Sequence, residues 1–148
     1  MIRLRPASEA ELEKFDAMDR QAHASRYVIQ TGLDQHRQNF SNPAITYLAI
    51  ERGDDFCGYF ILVLEQGGDS VEFRRILVDQ HQRGVGQAAI VEMEKYCREQ
   101  WNPKRIWLDV YEDNEIGRHI YHKLGYVPFS EEISDGRKLL FFEKQLRV

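Results

Sequence analysis

The sequence has little cysteine, no long apolar run and no excess of basic charge. Cys57 and Cys97 are its two cysteines, and they predict neither a disulfide framework nor a metal site, because no CxxC pair or histidine cluster accompanies them. No stretch of about eighteen apolar residues occurs, so we expect no membrane span. With 20 basic and 24 acidic residues the net charge is −4, which gives no electrostatic support for nucleic-acid binding.

Length and composition are those of an ordinary soluble protein. A chain of 148 residues suits one domain, residues 1–148, with a single core. A hydrophobic content of 43% and a charged content of 30% are typical of globular proteins. The segment Met1–Arg5 lacks the long apolar core of a signal peptide. Both cysteines lie in apolar segments, and we expect a reduced, cytoplasmic protein.

Apolar periodicity predicts alternating strands and helices. Strands are expected over residues 2–5, 45–50, 56–64, 71–78, 106–111, 126–129 and 138–142. Helices are expected after a capping box formed by Ser8 and Glu11, and over 33–40, 84–100 and 114–124. The strand–helix–strand passage 71–111 implies a locally parallel pair within an otherwise antiparallel arrangement. The fold class is therefore α+β, with a mixed, mostly antiparallel sheet of about six or seven strands.

The turn from Arg83 to Ala88 is the most informative segment, because it joins a predicted strand to a predicted helix. Gly84 and Gly86 let the backbone approach a ligand closely. The helix start adds unpaired N–H groups and the positive end of a dipole, which favour an anion such as a pyrophosphate.

The same glycines also fit a relaxed dinucleotide fingerprint, Gly84-x-Gly86-x-x-Ala89, with Asp109 as a ribose ligand. That interpretation requires several parallel crossovers. Three antiparallel strands precede the turn, however, and only about forty residues follow Asp109, which is too short for two mononucleotide-binding halves.

Two segments together resemble the GNAT superfamily of N-acetyltransferases. Residues 78–88 resemble its acetyl-CoA signature, Arg/Gln-x-x-Gly-x-Gly/Ala, with Arg83, Gly86 and Ala88 at the specified positions. The family's downstream motif is matched by Asn114, Gly117, Tyr121, Leu124, Gly125 and Tyr126. The resemblance covers residues 71–127, and Gln80 departs from it where proline is common.

This resemblance implies a sheet with four helices that splays at the cofactor site. It implies transfer of an acetyl group from acetyl-CoA to a primary amine by direct attack, with acetyl-CoA as the cosubstrate and no metal. The cofactor-binding residues it implies are Ile76, Leu77, Val78, Arg83, Gly84, Val85, Gly86, Gln87, Ala88, Asn114 and Tyr121.

The resemblance also implies the catalytic residues. Tyr121 is the expected proton donor to the departing thiolate, and Glu72 is the candidate general base, with ordered water as the alternative. Period-two alternation predicts that Glu72 shares a strand face with Arg74, Ile76 and Val78.

Several alternatives stay open. The chain could instead be a non-catalytic acyl-CoA-binding sensor or regulatory module, although such a protein has no need of Tyr121. The amine acceptor could be a polyamine, an amino acid, an aminoglycoside-like antibiotic or a protein N-terminus. The apolar run 139–142 predicts an exposed edge strand that pairs with a second subunit as a homodimer.

Overall fold

The computed structural model describes residues 1–21, 24, 31–79 and 84–147. The strands are β1 (Ile2–Pro6), β2 (Ile45–Arg52), β3 (Asp55–Leu64), β4 (Ser70–Val78), β5 (Arg105–Tyr111), β6 (Val127–Ser134) and β7 (Arg137–Gln145). The helices of the described residues are α1 (Leu12–Asp19), α2 (Leu33–Ser41), α3 (Val85–Gln100) and α4 (Glu115–Lys123), and a 3₁₀ turn (Glu9–Glu11) precedes α1. None of them has the length and apolar character needed to cross a membrane.

The strands form one mixed sheet in the order β1-β2-β3-β4-β5-β7-β6. Neighbouring strands are antiparallel except for the parallel pair β4 and β5, as the sequence predicts. The prediction that residues 139–142 form an exposed edge is wrong. Those residues belong to β7, which lies between β5 and β6, because the β6–β7 hairpin folds its second strand back against β5.

The predicted capping box is confirmed. Ser8 and Glu11 bond reciprocally at the start of the 3₁₀ turn, and α1 continues from it with Leu12, Phe15 and Met18 buried. Helix α1 packs on one face of the sheet, which we call the α1 face, while α3 packs on the opposite face, the α3 face. Both cysteines are buried on the α3 face, as expected of core thiols.

A β-bulge in β4 changes which side chains share a face. The register with β3 skips Arg74, the residue between Phe73 and Arg75. An extra residue breaks strict alternation and bends the strand. The α1 face carries Glu72, Arg75 and Leu77, whereas the α3 face carries Phe73, Ile76 and Val78. The expectation that Glu72 shares a face with Ile76 and Val78 is therefore wrong.

A buried polar network joins the two N-terminal helices to the sheet. The carboxylate of Asp19 at the end of α1 accepts a hydrogen bond from the Tyr59 hydroxyl (2.5 Å) and one from the Arg75 guanidinium (3.1 Å). His36 of α2 places Nε2 2.7 Å from the same carboxylate and Nδ1 2.6 Å from the Tyr47 hydroxyl. The side chains of Asp19 and His36 are 1% and 0% exposed, so the network fixes both helices and Arg75 in place.

Replacement of Asp19 by alanine tests this network. The substitution leaves Arg75 and Tyr59 without their buried acceptor, and breaking a buried ion pair costs about 3–5 kcal/mol. We expect a loss of about 3 kcal/mol in the free energy of unfolding, measured by urea denaturation. Asp54→Ala, in an exposed turn, is the control and should change it by less than about 0.5 kcal/mol. Equal stability of the two variants would contradict the assignment.

Candidate active site

The sheet opens between its two parallel strands. Strands β4 and β5 pair only from Ser70 with Arg105 to Glu72 with Trp107. Beyond that point β4 stays paired with β3 and β5 stays paired with β7 up to Tyr111. The two strands therefore diverge, and the facing edge of β4 from residue 73 to 77 has no strand partner on β5.

A cavity of about 750 Å³ fills this opening. Its walls come from both faces of the sheet, so the opening connects the α3 side with the α1 side. On the α3 side it is lined by Gly84, Gly86, Ile90, Asn114, Ile120 and Tyr121. On the α1 side and in the gap between β4 and β5, which we call the slot, the cavity is lined by Gln35, Asn39, Glu72, Arg75, Asp109 and Tyr111. Two molecules that approach from opposite faces can meet here.

One end of the cavity is the start of helix α3. Gly84 precedes the helix with φ of 79°, a left-handed conformation that favours glycine. A side chain at Gly86 would meet no atom of the described residues within 4 Å, and Gly86 itself lines the cavity. The first N–H groups of α3 have no partner within the helix, so this end suits an anion.

The neighbouring residues of the predicted cofactor turn have different surroundings. Val85 is buried in the core and anchors the helix, Gln87 is half-buried, and Ala88 is exposed. None of these three side chains lines the cavity, so their backbone is what they offer a ligand. Arg83, which the family resemblance places in the cofactor site, lies outside the described residues, as do Gln80 and His81.

Strand β4 supplies the wall next to this anion site. Ile76, Leu77 and Val78 all line the cavity, as the resemblance implies. They stay paired with β3 on one edge while the other edge faces the opening. The backbone of this segment is thus positioned to pair with an extended ligand.

Asn114 and Gly117 form the start of helix α4. The Asn114 side-chain oxygen accepts a hydrogen bond from the Gly117 N–H (3.0 Å), so Asn114 caps the helix. A Cβ atom at Gly117 would lie about 2.9 Å from the Asn114 side chain, which explains the small residue three positions later. Asn114 also lines the cavity and so is available to a cofactor there.

Tyr121 lies on α4 against the slot. Its ring packs edge-on against Phe73 and Tyr126, with centroid distances of 5.9 and 6.0 Å. Among the described residues its hydroxyl has no hydrogen-bond partner, and the residue lines the cavity. Burial, with a smaller effect from the charge of Asp109, raises the pKa of Tyr121 above its ordinary value. The phenol therefore keeps its proton at neutral pH and can donate it into the cavity.

Glu72 lines the cavity where β4 and β5 part. Both of its carboxylate oxygens accept hydrogen bonds from the Arg74 guanidinium, at 2.9 and 3.2 Å. Its side chain is 17% exposed, whereas that of Arg74 is 41% exposed. The bulge thus supplies the arginine that neutralises Glu72.

Asp109 is a second carboxylate beside the opening, and the sequence pattern suggested it only as a ribose ligand. It faces the same side of the sheet as Glu72, since Trp107, two residues earlier on β5, pairs with Glu72. Burial, which is the largest effect, and the charges of Glu72 and Glu132 together raise the pKa of Asp109 to about 6, while Arg74 opposes them. The alternation of Trp107, Asp109 and Tyr111 on β5 is a sequence signal that could have placed Asp109 beside the site.

Other titratable residues lie elsewhere. His119 and His122 are on the exposed side of α4, as predicted. Asp16, Asp19 and His36 bring possible ligand atoms within 4.8 Å of one another. Both His36 nitrogens face hydrogen-bond partners, and Asp16 pairs with Arg20. This cluster is thus occupied by its own hydrogen bonds.

Comparison with known proteins gives a family. The family described as "Acetyltransferase (GNAT) family" matches residues 9–126, most of the chain. No curated protein sequence matches this chain significantly.

Solved structures give the same fold. Spermidine N-acetyltransferase from Vibrio cholerae, in complex with CoA and spermine, is similar at a TM-score of 0.84 and 16% identity. The similarity covers 98% of this chain and 95% of that one. A putative phosphinothricin N-acetyltransferase is similar at a TM-score of 0.84 and 17% identity, over 100% of both chains. The predicted fold, a mixed, mostly antiparallel sheet with helices, is therefore confirmed.

Replacement of Gly86 by valine tests the anion end of the cavity. A branched side chain there would occupy the space next to the first N–H groups of α3. We expect at least a tenfold weaker affinity for acetyl-CoA in calorimetric titration, with NADH as a control ligand that does not bind. Val91→Ala, on the exposed side of α3 outside the turn, is the control and should bind normally. Unchanged affinity of Gly86→Val would contradict the placement.

Proposed function

We propose a residue-level mechanism for this chain, which belongs to the acetyltransferase (GNAT) family. It is an N-acetyltransferase that transfers the acetyl group of acetyl-CoA to an amine. The observation that supports the mechanism best is the opening between β4 and β5. The anion site at the start of α3, the unpaired edge of β4 and the phenol of Tyr121 all border this single cavity.

Acetyl-CoA would enter from the α3 side. Its pyrophosphate would lie on the backbone amides of the turn 83–88 and the start of α3. Its pantetheine arm would run along the open edge of β4 and pair with the backbone of residues 76–78, which have no strand partner on β5. Asn114 would contact the cofactor from the start of α4. A backbone N–H of β4 would then polarise the thioester carbonyl.

The acceptor would enter from the α1 side and attack the thioester directly. A neutral amine forms the C–N bond, and the C–S bond breaks as the thiolate leaves. Tyr121 donates its proton to the thiolate, and the phenolate regains a proton from the newly formed amide nitrogen. Glu72, the base candidate of the sequence analysis, or an ordered water beside it is available to take the proton of the entering ammonium.

The acceptor that fits best is a primary amine. Two carboxylates, Glu72 and Asp109, and two guanidinium groups, Arg74 and Arg75, line the slot, so it is not a uniformly acidic channel. The similar structure that holds spermine supports an amine acceptor, and so does the similarity to a putative phosphinothricin N-acetyltransferase. Gln35 and Asn39 of α2 offer polar contacts to the rest of the acceptor.

The test is release of free thiol from acetyl-CoA with spermine, glutamate and n-butylamine as probe amines. We expect amine-dependent release with at least one of them, and the acetylated product by mass spectrometry. Binding of acetyl-CoA without acetylation of any amine would support the alternative of a non-catalytic sensor.

Tyr121→Phe tests the proton donor. Without the hydroxyl the thiolate must leave unprotonated, so we expect kcat to fall by about 10²-fold, the lower range for general acid catalysis, with acetyl-CoA affinity retained. Tyr96→Phe, on the outer part of α3 against Trp101, is the matched control. An activity of Tyr121→Phe within threefold of the parent would exclude Tyr121 as the donor.

A further inference from the structure

Gly58 of β3 lies in very close contact with the backbone of β4. It pairs with Val78, the last residue of β4. A Cβ atom at position 58 would overlap the carbonyl oxygen of Leu77 and would lie 3.0 Å from the Cα atom of Val78. Both are backbone atoms, so they cannot turn aside as the end of a flexible side chain does. Any residue larger than glycine at this position must therefore displace the end of β4.

A β-bulge in β3 adjoins Gly58. The register with β2 skips Cys57, which lies between Phe56 and Gly58. A bulge of this kind bends its strand and increases the local twist. The Cys57 side chain is fully buried, and the Cys57 carbonyl accepts a hydrogen bond from the Asp79 N–H (2.7 Å). The bulge and Gly58 together thus hold β4 at the point where that strand ends.

The hydrogen bond of Asp79 indicates which backbone groups of β4 face the slot. Successive residues of a strand turn their N–H and C=O groups to opposite edges. Asp79 turns its N–H to β3, and so does Leu77 its carbonyl, which lies against Gly58. Ile76 and Val78 alternate with these two residues, so their N–H and C=O groups turn to the other edge of β4, which borders the slot. Within residues 76–78, these are the backbone groups that can pair with a pantetheine arm.

The pair formed by Gly58 and Val78 is the close kind of antiparallel pair. Hydrogen-bonded and non-hydrogen-bonded pairs alternate along such a ladder, and the adjacent residues Cys57 and Asp79 are hydrogen-bonded. In a non-hydrogen-bonded pair the two Cα atoms are only about 4.5 Å apart. A change at Gly58 therefore acts directly on the backbone that faces the slot.

We propose that Gly58 is a positioning residue for the cofactor, although it lies on the opposite edge of β4 from the slot. Its lack of a side chain lets β3 approach Val78, and this approach sets where the backbone of residues 76–78 lies relative to the slot. The proposal rests on the proposed function, in which the pantetheine arm pairs with that backbone. Gly58 itself does not line the cavity, so it acts on the cofactor through β4.

The anion end of the cavity is held in a different way. Val85, at the start of α3, is 1% exposed and packs in the core of the α3 face. This contact fixes the first turn of α3 independently of the pair between Gly58 and Val78. A side chain at position 58 should therefore disturb the pantetheine arm and leave the pyrophosphate site intact.

Calorimetric titration of Gly58→Ala with two ligands separates these parts of the site. Two misplaced backbone hydrogen bonds should weaken the binding of acetyl-CoA by about tenfold or more. Adenosine 3′-phosphate 5′-diphosphate keeps the pyrophosphate and lacks the pantetheine arm, so its dissociation constant should change by less than about twofold.

Gly67→Ala is the matched control. Gly67 lies in the turn that joins β3 to β4, where a Cβ atom would meet no atom of the described residues within 4 Å. Its φ of 92° makes alanine strained there, so this variant also loses stability without a clash against β4. We expect it to bind both ligands as the parent protein does.

A second measurement needs no ligand. The backbone amide resonances of Ile76 and Val78 should shift in ¹⁵N-labelled Gly58→Ala and stay in place in Gly67→Ala. Three results would overturn the proposal: unchanged affinity of Gly58→Ala for acetyl-CoA, loss of both ligands together, or unchanged resonances of these two residues. If the parent protein does not bind acetyl-CoA, the proposed function fails, and the resonances still test whether Gly58 positions β4.

Discussion

The rest of the site depends on the loss of pairing between β4 and β5. A parallel pair that stayed closed would bury its backbone groups in mutual hydrogen bonds and leave no room between the strands. Here three residue pairs hold the strands together at one end, and the bulge at Arg74 bends β4 just beyond them. The opening exposes a strand edge, creates the cavity and lets two substrates meet through the sheet.

The polar groups around the opening differ in whether they have hydrogen-bond partners. The Asp19 carboxylate pairs with the Arg75 guanidinium, which fixes Arg75 in the wall of the cavity. Arg74 holds Glu72. Asp109 and the Tyr121 hydroxyl are left without such partners among the described residues, and both line the cavity. The groups with partners stabilise the fold, whereas Asp109 and the Tyr121 hydroxyl are available to a ligand in the cavity.

The sequence predicted features that depend on local patterns. The turn at Gly84, the helix that begins at Val85 and the parallel pair follow from glycine placement and periodicity, and they are confirmed. The order of β7 and β6 could not be predicted, because a hairpin pattern does not say which of its strands returns to the sheet. The bulge at Arg74 also left no local signal, so the face of Glu72 was assigned wrongly. The place of Asp109 beside the cavity was not predicted, because the charged residues near it come from strands that are distant in sequence.

The most direct test of the account is a crystal structure of this protein with coenzyme A. We predict that the pantetheine arm lies between β4 and β5, paired with the backbone of residues 76–78, with the pyrophosphate at the start of α3. The thiol should end in the slot near Tyr121 and Asp109. Coenzyme A bound elsewhere, with the slot between the two strands empty, would contradict the central claim.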